Sequence, residues 1–341
     1  MKRGVKESKK THSNQTIRFK NAPVIISGYS IAGKKESEGP MGGNFHHIMK
    51  DEYFGEKTHE AAEQKMFEYA VRGAIKNAGL QPTDVEIMLS GDLLNQITSS
   101  SYAARSFDML FVGLYGACST MALGLAVGAC MVNAGYFDTL VTSAGSHFAT
   151  AERQYRTPLE LGNQKPPVAQ WTVTGVGASV IASKGDGPKI TAATFGKVRD
   201  WGTRDPNNMG AAMAPAAAST IIAHFRDTGT TPDDYCQIFT GDLGKLGESV
   251  LRDLLASEGY PVGANYTDCG RMIYDHAQHS FMGGSGCGCS AVIFNGFILD
   301  KFKKGEYKKI LLVGTGALLS PTASFQGNTI PAIAHAVVVE K

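Results

Sequence analysis

An internal repeat constrains this chain more than any other feature of its sequence. Residues 74–94 read AIKNAGLQPTDVEIMLSGDLL, and residues 224–244 read HFRDTGTTPDDYCQIFTGDLG, at a constant offset of 150. The shared positions are Gly79 with Gly229, Pro82 with Pro232, Asp84 with Asp234, and Gly91-Asp92-Leu93 with Gly241-Asp242-Leu243. Each copy is typical of a helix end, a glycine cap, a proline-containing loop and then a strand.

The repeat extends over most of the chain. Further matching pairs are 116–146 with 286–317, 176–184 with 333–341, and 60–78 with 211–226. They indicate a corner of small residues followed by a helix and a strand, a closing strand, and an outer helix. We therefore predict a tandem duplication of one β/α unit, divided near residues 184–189.

Strands that alternate with helices predict an α/β fold, with helices layered between and outside two mixed sheets. We expect a basic flexible tail at 1–20, an N-terminal half at 21–187 and a C-terminal half at 188–341. In such a duplicated fold the two equivalent corners, at Cys118 and Cys289, should face each other near the internal two-fold axis. A pocket is expected at that junction.

The longest uncharged run contains the first of these corners. No Asp, Glu, Lys or Arg lies between Asp108 and Asp138, which meets the length criterion for a membrane span. The run breaks at GACST, however, so we interpret it as a buried strand, a tight turn and a buried helix. Ser119 and Thr120 are placed to cap that helix.

Charge and cysteine content narrow the class of protein. The net charge of +2 gives no reason to expect a nucleic-acid partner. The cysteines are scattered without a CxxC pair, which favours a reduced intracellular setting and no metal site. The first 20 residues hold seven Lys or Arg and one Glu, with neither a secretory signal nor a transmembrane helix expected. A solvated tail is the simpler interpretation, and contact with an anionic membrane surface is the alternative.

The duplicated halves, with a cysteine at the strand–helix corner of the first, resemble the thiolase and ketoacyl-synthase superfamily over residues 22–341. Four strings resemble, more narrowly, a family of bacterial sporulation proteins within it. They are SGDLLNQ (90–96), GLYGACSTMA (113–122), SHFATAERQYRTPLELGNQKPPVAQWTVTG (146–175) and GTGALLSP (314–321). This resemblance implies a part in the membrane apparatus that moves dipicolinic acid into developing spores and out again on germination.

Comparison with the catalytic positions of the superfamily indicates whether this chain is an enzyme or a binding protein. Cys118 occupies the position of the nucleophile, at a helix N-terminus that would lower its pKa. The family's His-x-x-Asn strand end is replaced by Gly241 and Asp242, and its Asn-containing corner by GGSGCGCS. Asp242 would repel a thiolate and an enolate. We therefore expect no catalytic residues, Cys118 being a vestigial nucleophile, and a scaffold retained for binding.

The resemblance to a dipicolinate-handling family directs the choice of ligand-binding residues. A dianionic aromatic acid requires hydrogen-bond donors and cations. The expected set is Cys118, Ser146, His147, Arg153, Arg156, Asp242 and His279. Each has a structural alternative. Cys118 could simply fill a crowded corner, both arginines could pair with Glu152 and Glu160, and Asp92 and Asp242 could be turn carboxylates.

Calcium is the only inorganic ion that this ligand implies. Calcium takes oxygen ligands, and Asp242 could share one with the dicarboxylate. The sequence has no EF-hand-like loop, so we expect calcium to arrive with the ligand and the protein to need no cofactor of its own.

Several expectations about assembly and activity follow from the resemblance. We expect a homodimer joined through the apolar strand at 139–145, although that strand could instead be central within one subunit. Other subunits of the spore membrane transport apparatus are expected partners, with the protein soluble or peripheral at the spore inner membrane. A Cys118-dependent acyltransferase or condensing enzyme is the alternative function, and a structural subunit with an unused pocket is a third.

Overall fold

Strands and helices alternate through both halves of the chain in a computed structural model that describes residues 14–156, 159–162 and 164–341. The strands are β1 (Thr16–Arg18), β2 (Val24–Ala32), β3 (His47–Ile48), β4 (Ile87–Gly91), β5 (Leu110–Gly113), β6 (Thr139–Ser146), β7 (Trp171–Thr172), β8 (Gly175–Ala182), β9 (Lys189–Thr194), β10 (Gln237–Thr240), β11 (Tyr266–Asp268), β12 (Gly284–Ser285), β13 (Lys309–Ala317) and β14 (Ala332–Glu340).

The helices are α1 (Lys34–Ser37), α2 (His59–Asn77), α3 (Thr98–Ala104), α4 (Thr120–Asn133), α5 (Phe148–Tyr155), α6 (Met209–Thr228), α7 (Gly244–Ser257), α8 (Cys269–Ile273), α9 (Cys287–Ile293), α10 (Leu299–Lys303) and α11 (Pro321–Phe325). A π-helical turn at Phe294–Ile298 joins α9 to α10. Helices α2 and α6 occupy the repeated segments predicted to be helical, so that prediction is confirmed.

The two halves have the same strand order. The first half runs β5-β4-β6-β8-β2 and the second runs β11-β10-β13-β14-β9. If the five strands of each half are numbered along the chain, both rows have the order 3-2-4-5-1. The first three strands of each row are parallel, and the last two join antiparallel. The duplication predicted from the sequence is thus a duplication of topology.

The two predicted mixed sheets are connected to each other. β2 meets β9 through a single antiparallel pair, Val24 with Lys189, so the two rows form one continuous sheet, while β7 and β12 pair separately. α4 packs against β6 of its own half and against β13 and β14 of the other, while α9 packs against β8 and β6. α2 and α6 cover the outer faces. Helices therefore lie between and outside the two rows of strands, as predicted.

The uncharged run is a strand, a corner and a helix, as predicted, but β5 is less buried than expected. β5 is an edge strand, and Leu110 is 61% exposed. α4 is buried on most sides, and Gly124 allows its close approach to β6, since a Cβ there would lie 2.0 Å from Thr142 Oγ1. Within the described residues, no helix is long and apolar enough to cross a membrane.

One expectation about the edges of the sheet was wrong. β6, which contains the proposed dimer strand 139–145, pairs with β4 on one side and β8 on the other, so it is central. The span predicted for the basic tail, 1–20, includes Thr16–Arg18, which form β1 and pair with β9. Residues 1–13 of that tail lie outside the described residues.

Candidate functional site

The corner between β5 and α4 presents Cys118 to a cavity. Ala117, directly before it, has a left-handed backbone conformation (φ 48°), which non-glycine residues adopt rarely. The Ser119 hydroxyl donates to the carbonyl of Gly116 at 2.6 Å, and the Thr120 hydroxyl donates to the carbonyl of Ala117 at 2.6 Å. These hydroxyls therefore fix the corner instead of capping the helix, which has no side-chain cap.

The second corner, which opens α9, touches the first. Cys287 Sγ donates to the carbonyl of Ala117 at 2.9 Å. Gly286 has a left-handed φ of 99°, and a Cβ there would lie 2.7 Å from Ser146 Oγ. The corners meet as predicted, but Cys287 makes the contact, because Cys289 Sγ points away and donates to the carbonyl of Gly241 at 3.3 Å.

Asp242 lies behind Cys118, just beyond the end of β10. Its Oδ1 accepts from the Thr315 hydroxyl at 2.7 Å and its Oδ2 from the backbone N–H of Gly286 at 2.9 Å. The Cys118 thiol and this carboxyl group are near enough to influence each other's pKa. Burial raises the pKa of Asp242 to about 7, against the lowering effect of these donors. Asp242 does not line the cavity, so its contact with a ligand stays a prediction, and the structure places its carboxyl group behind Cys118.

The thiol of Cys118 is held in its protonated form. Burial, and then the negative charge of Asp242, raise its pKa well above the ordinary value. The lowering expected from the helix N-terminus is therefore outweighed, and α4 itself begins two residues later, at Thr120. Because the thiolate is the nucleophilic form, Cys118 is poorly prepared for acyl transfer near neutral pH.

The cavity beside Cys118 is small and mostly apolar, with a volume of about 40 Å³. It is lined by side chains from both halves, which are Leu93, Tyr115, Ala117, Cys118, Ala151, Tyr155, Arg156, Thr172, Met209, Met213, Ser285, Ala317 and Leu319. Arg156 is the one charged residue among these lining residues. Any ligand held here would therefore meet a single cation in an otherwise neutral wall.

Arg156 belongs to a buried group of three charges. Arg156 and Lys165 both pair with the carboxylate of Glu152, and all three side chains are about nine-tenths buried. Within the described part of the chain, Arg156 Nε is buried without a hydrogen-bond partner. Burial and the charge of Arg156 lower the pKa of Lys165 to about 8. This group has two cations and one carboxylate, and its excess positive charge reaches the cavity through Arg156, which suits an anion.

Comparison with known proteins identifies the relatives of this chain. The family model for stage V sporulation protein AD matches residues 13–340. Stage V sporulation protein AD of Bacillus subtilis (strain 168) is 44% identical over 332 residues, which cover 97% of this chain and 98% of that protein. The chain belongs to the stage V sporulation protein AD family.

Solved structures confirm the thiolase-like fold of this member of the stage V sporulation protein AD family. 3-Oxoacyl-[acyl-carrier-protein] synthase III from Aquifex aeolicus VF5 matches with a TM-score of 0.59 and 12% identity, over 94% of this chain and 100% of that one. A single-residue variant of OleA from Xanthomonas campestris matches with a TM-score of 0.62 and 13% identity, over 95% of this chain and 100% of that one. At these identities the likeness concerns the fold alone.

Two of the expected ligand-binding residues support the backbone and do not line the cavity. The Ser146 hydroxyl donates to the carbonyl of Val173 at 2.7 Å and accepts from Gly288 N–H at 3.0 Å. His147 caps α5: its Nδ1 accepts from Ala149 N–H at 3.1 Å, and its Nε2 donates to the carbonyl of Glu52 at 2.8 Å. Burial lowers the pKa of His147 to about 4, so it stays neutral.

Two more of the expected residues face solvent. Arg153 is exposed and pairs with Glu60, which is neither of the two partners, Glu152 and Glu160, considered for it from the sequence. His279 is exposed at the end of a short turn, has a left-handed φ of 51°, and does not line the cavity. Of the expected set, Cys118 and Arg156 line the cavity.

Sequence reasoning missed several residues of the cavity wall. Tyr115 lies in the same corner as Cys118, and Tyr155 directly precedes Arg156. Their closeness in sequence to predicted ligand residues could therefore have indicated them. Met209 and Met213 come from α6 of the second half, and their sequence context resembles that of any buried helix. Among the described residues, no cluster of His, Cys, Asp and Glu could hold a metal ion.

Proposed function

We propose that this protein binds dipicolinic acid, or its calcium chelate, in the cavity beside Cys118, and that it does so without catalysing a reaction. Binding would support uptake of this acid into the developing spore and its release on germination. Membership of a sporulation family supports the biological setting. The choice of ligand rests on the resemblance of four sequence strings to a dipicolinate-handling family.

The observation that carries the proposal is the excess positive charge of the buried group that reaches the cavity through Arg156. Arg156 and Lys165 share one carboxylate, that of Glu152, and Arg156 Nε–H has no acceptor within the described residues. A buried donor without a partner is unfavourable by about 1–3 kcal/mol. A ligand carboxylate that accepts from Arg156 would remove that penalty and balance the charge.

A Cys118-dependent condensing enzyme is the second candidate. The position of Cys118 at a strand–helix corner, in a fold shared with a ketoacyl synthase, favours it. Against it stand the raised pKa of the thiol and a carboxyl group, that of Asp242, where a condensing enzyme needs an imidazole. Incubation with acyl-CoA followed by mass measurement of the intact protein distinguishes the two. We expect no stable acyl adduct and no turnover that depends on Cys118.

The assembly that accompanies this function is also a proposal. We propose a homodimer through β5, the edge strand with exposed Leu110, in place of the central β6. In this proposal the dimer works with other subunits of the spore membrane transport apparatus, peripheral at the spore inner membrane. Calcium is carried by the ligand. Analytical ultracentrifugation at micromolar concentration tests the dimer, and a monomer would contradict it.

Calorimetric titration with dipicolinate, with and without equimolar calcium, tests the binding function. Arg156→Gln should weaken binding at least tenfold, because a charge-assisted hydrogen bond contributes about 1.5–3 kcal/mol. Arg153→Gln is the matched control and should bind like the wild type, because Arg153 is exposed and pairs elsewhere. Cys118→Ala should also weaken binding. Equal binding by the wild type and both cavity variants would contradict the placement of the ligand in this cavity. No binding at all would support the alternative of a structural subunit.

A further inference from the structure

The cavity at Cys118 is too small for the ligand proposed for it. Its volume of about 40 Å³ is only a few times the roughly 10–15 Å³ that a cavity needs to hold one water molecule. An aromatic ring that carries two carboxylates is several times larger. A side chain in the wall must therefore move before such a ligand can lie beside Cys118.

A larger groove lies on the other side of the same wall. Its volume is about 430 Å³, and it is bordered by residues 94–97, by Gly113 at the end of β5, and by residues 318–321. Tyr115, Tyr155 and Leu319 line both the groove and the inner cavity. These three side chains therefore separate the two spaces.

Tyr115 is the least restrained of the three. It is 46% exposed, and within the described residues its hydroxyl makes a single, long hydrogen bond, of 3.4 Å, to the hydroxyl of Tyr155. Tyr155 is held more firmly, because its hydroxyl also hydrogen-bonds to the carbonyl of Leu93. Leu319 is buried. Exposed side chains change rotamer within nanoseconds, so motion of the Tyr115 ring is the smallest change that joins the cavity to the groove.

We propose that Tyr115 controls which molecules reach Cys118. When its ring turns toward solvent, the cavity and the groove become one space that can admit a flat aromatic acid. When the ring returns, it covers that acid from the outside. The identity of the acid rests on the proposed function, whereas the control of access to Cys118 does not.

Labelling of Cys118 with methyl methanethiosulfonate tests this control without any ligand. Peptide mass spectrometry follows each cysteine, and exposed Cys236 serves as the internal reference. Tyr115→Ala should speed labelling of Cys118 roughly tenfold, and Tyr115→Trp should slow it roughly threefold, since access requires motion of the ring. Tyr136→Ala is the matched control, an exposed tyrosine on the turn after α4, and should change nothing.

The buried thiols separate controlled access from general unfolding. Cys269, Cys287 and Cys289 are buried and should label at the wild-type rate in both Tyr115 variants. If labelling of these thiols accelerates together with that of Cys118 in Tyr115→Ala, that variant is destabilised. Tyr115→Trp then decides between controlled access and unfolding, because a destabilised protein cannot protect Cys118 selectively. Unchanged Cys118 labelling in both variants would overturn the proposal.

Dipicolinate binding provides a separate readout. Stopped-flow measurement should show faster association and faster dissociation for Tyr115→Ala than for the wild type, and the reverse for Tyr115→Trp. If labelling responds as expected but no dipicolinate binds, the control of access stands and the proposed ligand fails. If dipicolinate binds at rates that neither substitution alters, the ligand stands and the control by Tyr115 fails.

Discussion

Asp92 and Asp242 occupy the same place in the duplicated sequence, yet they have different partners. Asp92 holds its own turn: its Oδ1 accepts from Leu94 N–H at 2.8 Å, and its Oδ2 accepts from the N–H and the hydroxyl of Ser100 at 2.7 and 2.8 Å. Asp242 instead accepts from Thr315 and Gly286, which are distant in sequence. One carboxyl group closes a local turn, and the other joins the second corner to β13 behind the cavity.

Asp268, at the end of β11, explains why Asp242 does not have to hold the turn that follows its own strand. Its carboxylate accepts from Leu243 N–H at 2.8 Å and from Gly244 N–H at 2.9 Å, the donors of the turn after β10. It also accepts from the Thr240 hydroxyl at 2.7 Å. Because Asp268 satisfies the turn, Asp242 is available to the corner at Cys118. A repeated Gly-Asp-Leu motif therefore repeats a position in the fold without repeating a role.

Removal of Asp268 should produce the largest effect, since it leaves several buried donors without an acceptor. We expect Asp268→Ala to lower the free energy of unfolding by about 3–5 kcal/mol, measured by urea denaturation. Asp233→Ala, at an exposed position on the turn before β10, is the control and should stay within about 0.5 kcal/mol. A loss for Asp268→Ala no larger than that of the control would show that Asp268 does not stand in for Asp92.

Asp242→Asn should change how stability depends on pH. Burial raises the pKa of Asp242 from 3.8 to about 7, so the folded protein keeps a proton that the unfolded chain releases. The stabilisation of the folded state by protonated Asp242 is therefore fully present below about pH 4 and is lost as pH rises to about 7. The variant lacks this loss, so its stability relative to the wild type should rise between pH 4 and pH 8, by on the order of 2–4 kcal/mol.

Asp108→Asn, at an exposed carboxylate, is the control for that comparison and should keep the pH dependence of the wild type. Buried histidines act in the opposite direction, because burial lowers the pKa values of His147, His224 and His335 to about 4. They are present in every variant and cancel in the difference. An Asp242→Asn curve parallel to that of the wild type would contradict the raised pKa.

The repeated architecture was predictable because its signals are local. Glycine caps, proline loops and small-residue corners recur at fixed spacing, and each corresponds to one backbone feature. The status of β6 was not predictable in the same way, because an apolar strand has the same composition at an edge and in the centre of a sheet. Only pairing with both β4 and β8 distinguishes the two.

The candidate site was predicted less well than the fold. Arg153 and Arg156 are three residues apart, and both were expected to bind the ligand. α5 ends at Tyr155, and Arg156 leaves the helix with φ −124° and ψ −83°, which accompanies its position in the cavity wall, while Arg153 stays on the helix and pairs with Glu60. His147 lies at a strand end, which is why the sequence predicts it as a ligand residue, but a helix also begins there and takes the ring as its cap. Such competition between local and distant partners is decided only by the folded structure.

Substitution of the two duplicated aspartates should also affect dipicolinate affinity differently, although this difference should be smaller than the effects on stability. Ionised Asp242 behind Cys118 repels a dianion, so we expect the affinity of the wild type for free dipicolinate to fall as pH rises through 7. Asp242→Asn should remove this fall and bind roughly two- to fivefold more tightly at pH 8, with little difference at pH 5.5. Asp92→Asn should follow the wild type at both pH values. Selective weakening of the calcium chelate by Asp242→Asn would instead support a calcium bridge to Asp242.

The smallest expected effect comes from removing one donor to each aspartate. Thr315→Val removes a hydroxyl that donates to Asp242, and Ser100→Ala removes one that donates to Asp92. Each should cost about 1 kcal/mol of stability, so unfolding alone cannot tell them apart. Because the Thr315 bond favours the ionised form of Asp242, its loss should raise the pKa of Asp242 further. The pH at which dipicolinate affinity falls should then move upward in Thr315→Val and stay in place in Ser100→Ala. Equal profiles for the two variants would mean that Asp242, like Asp92, serves only to hold the backbone.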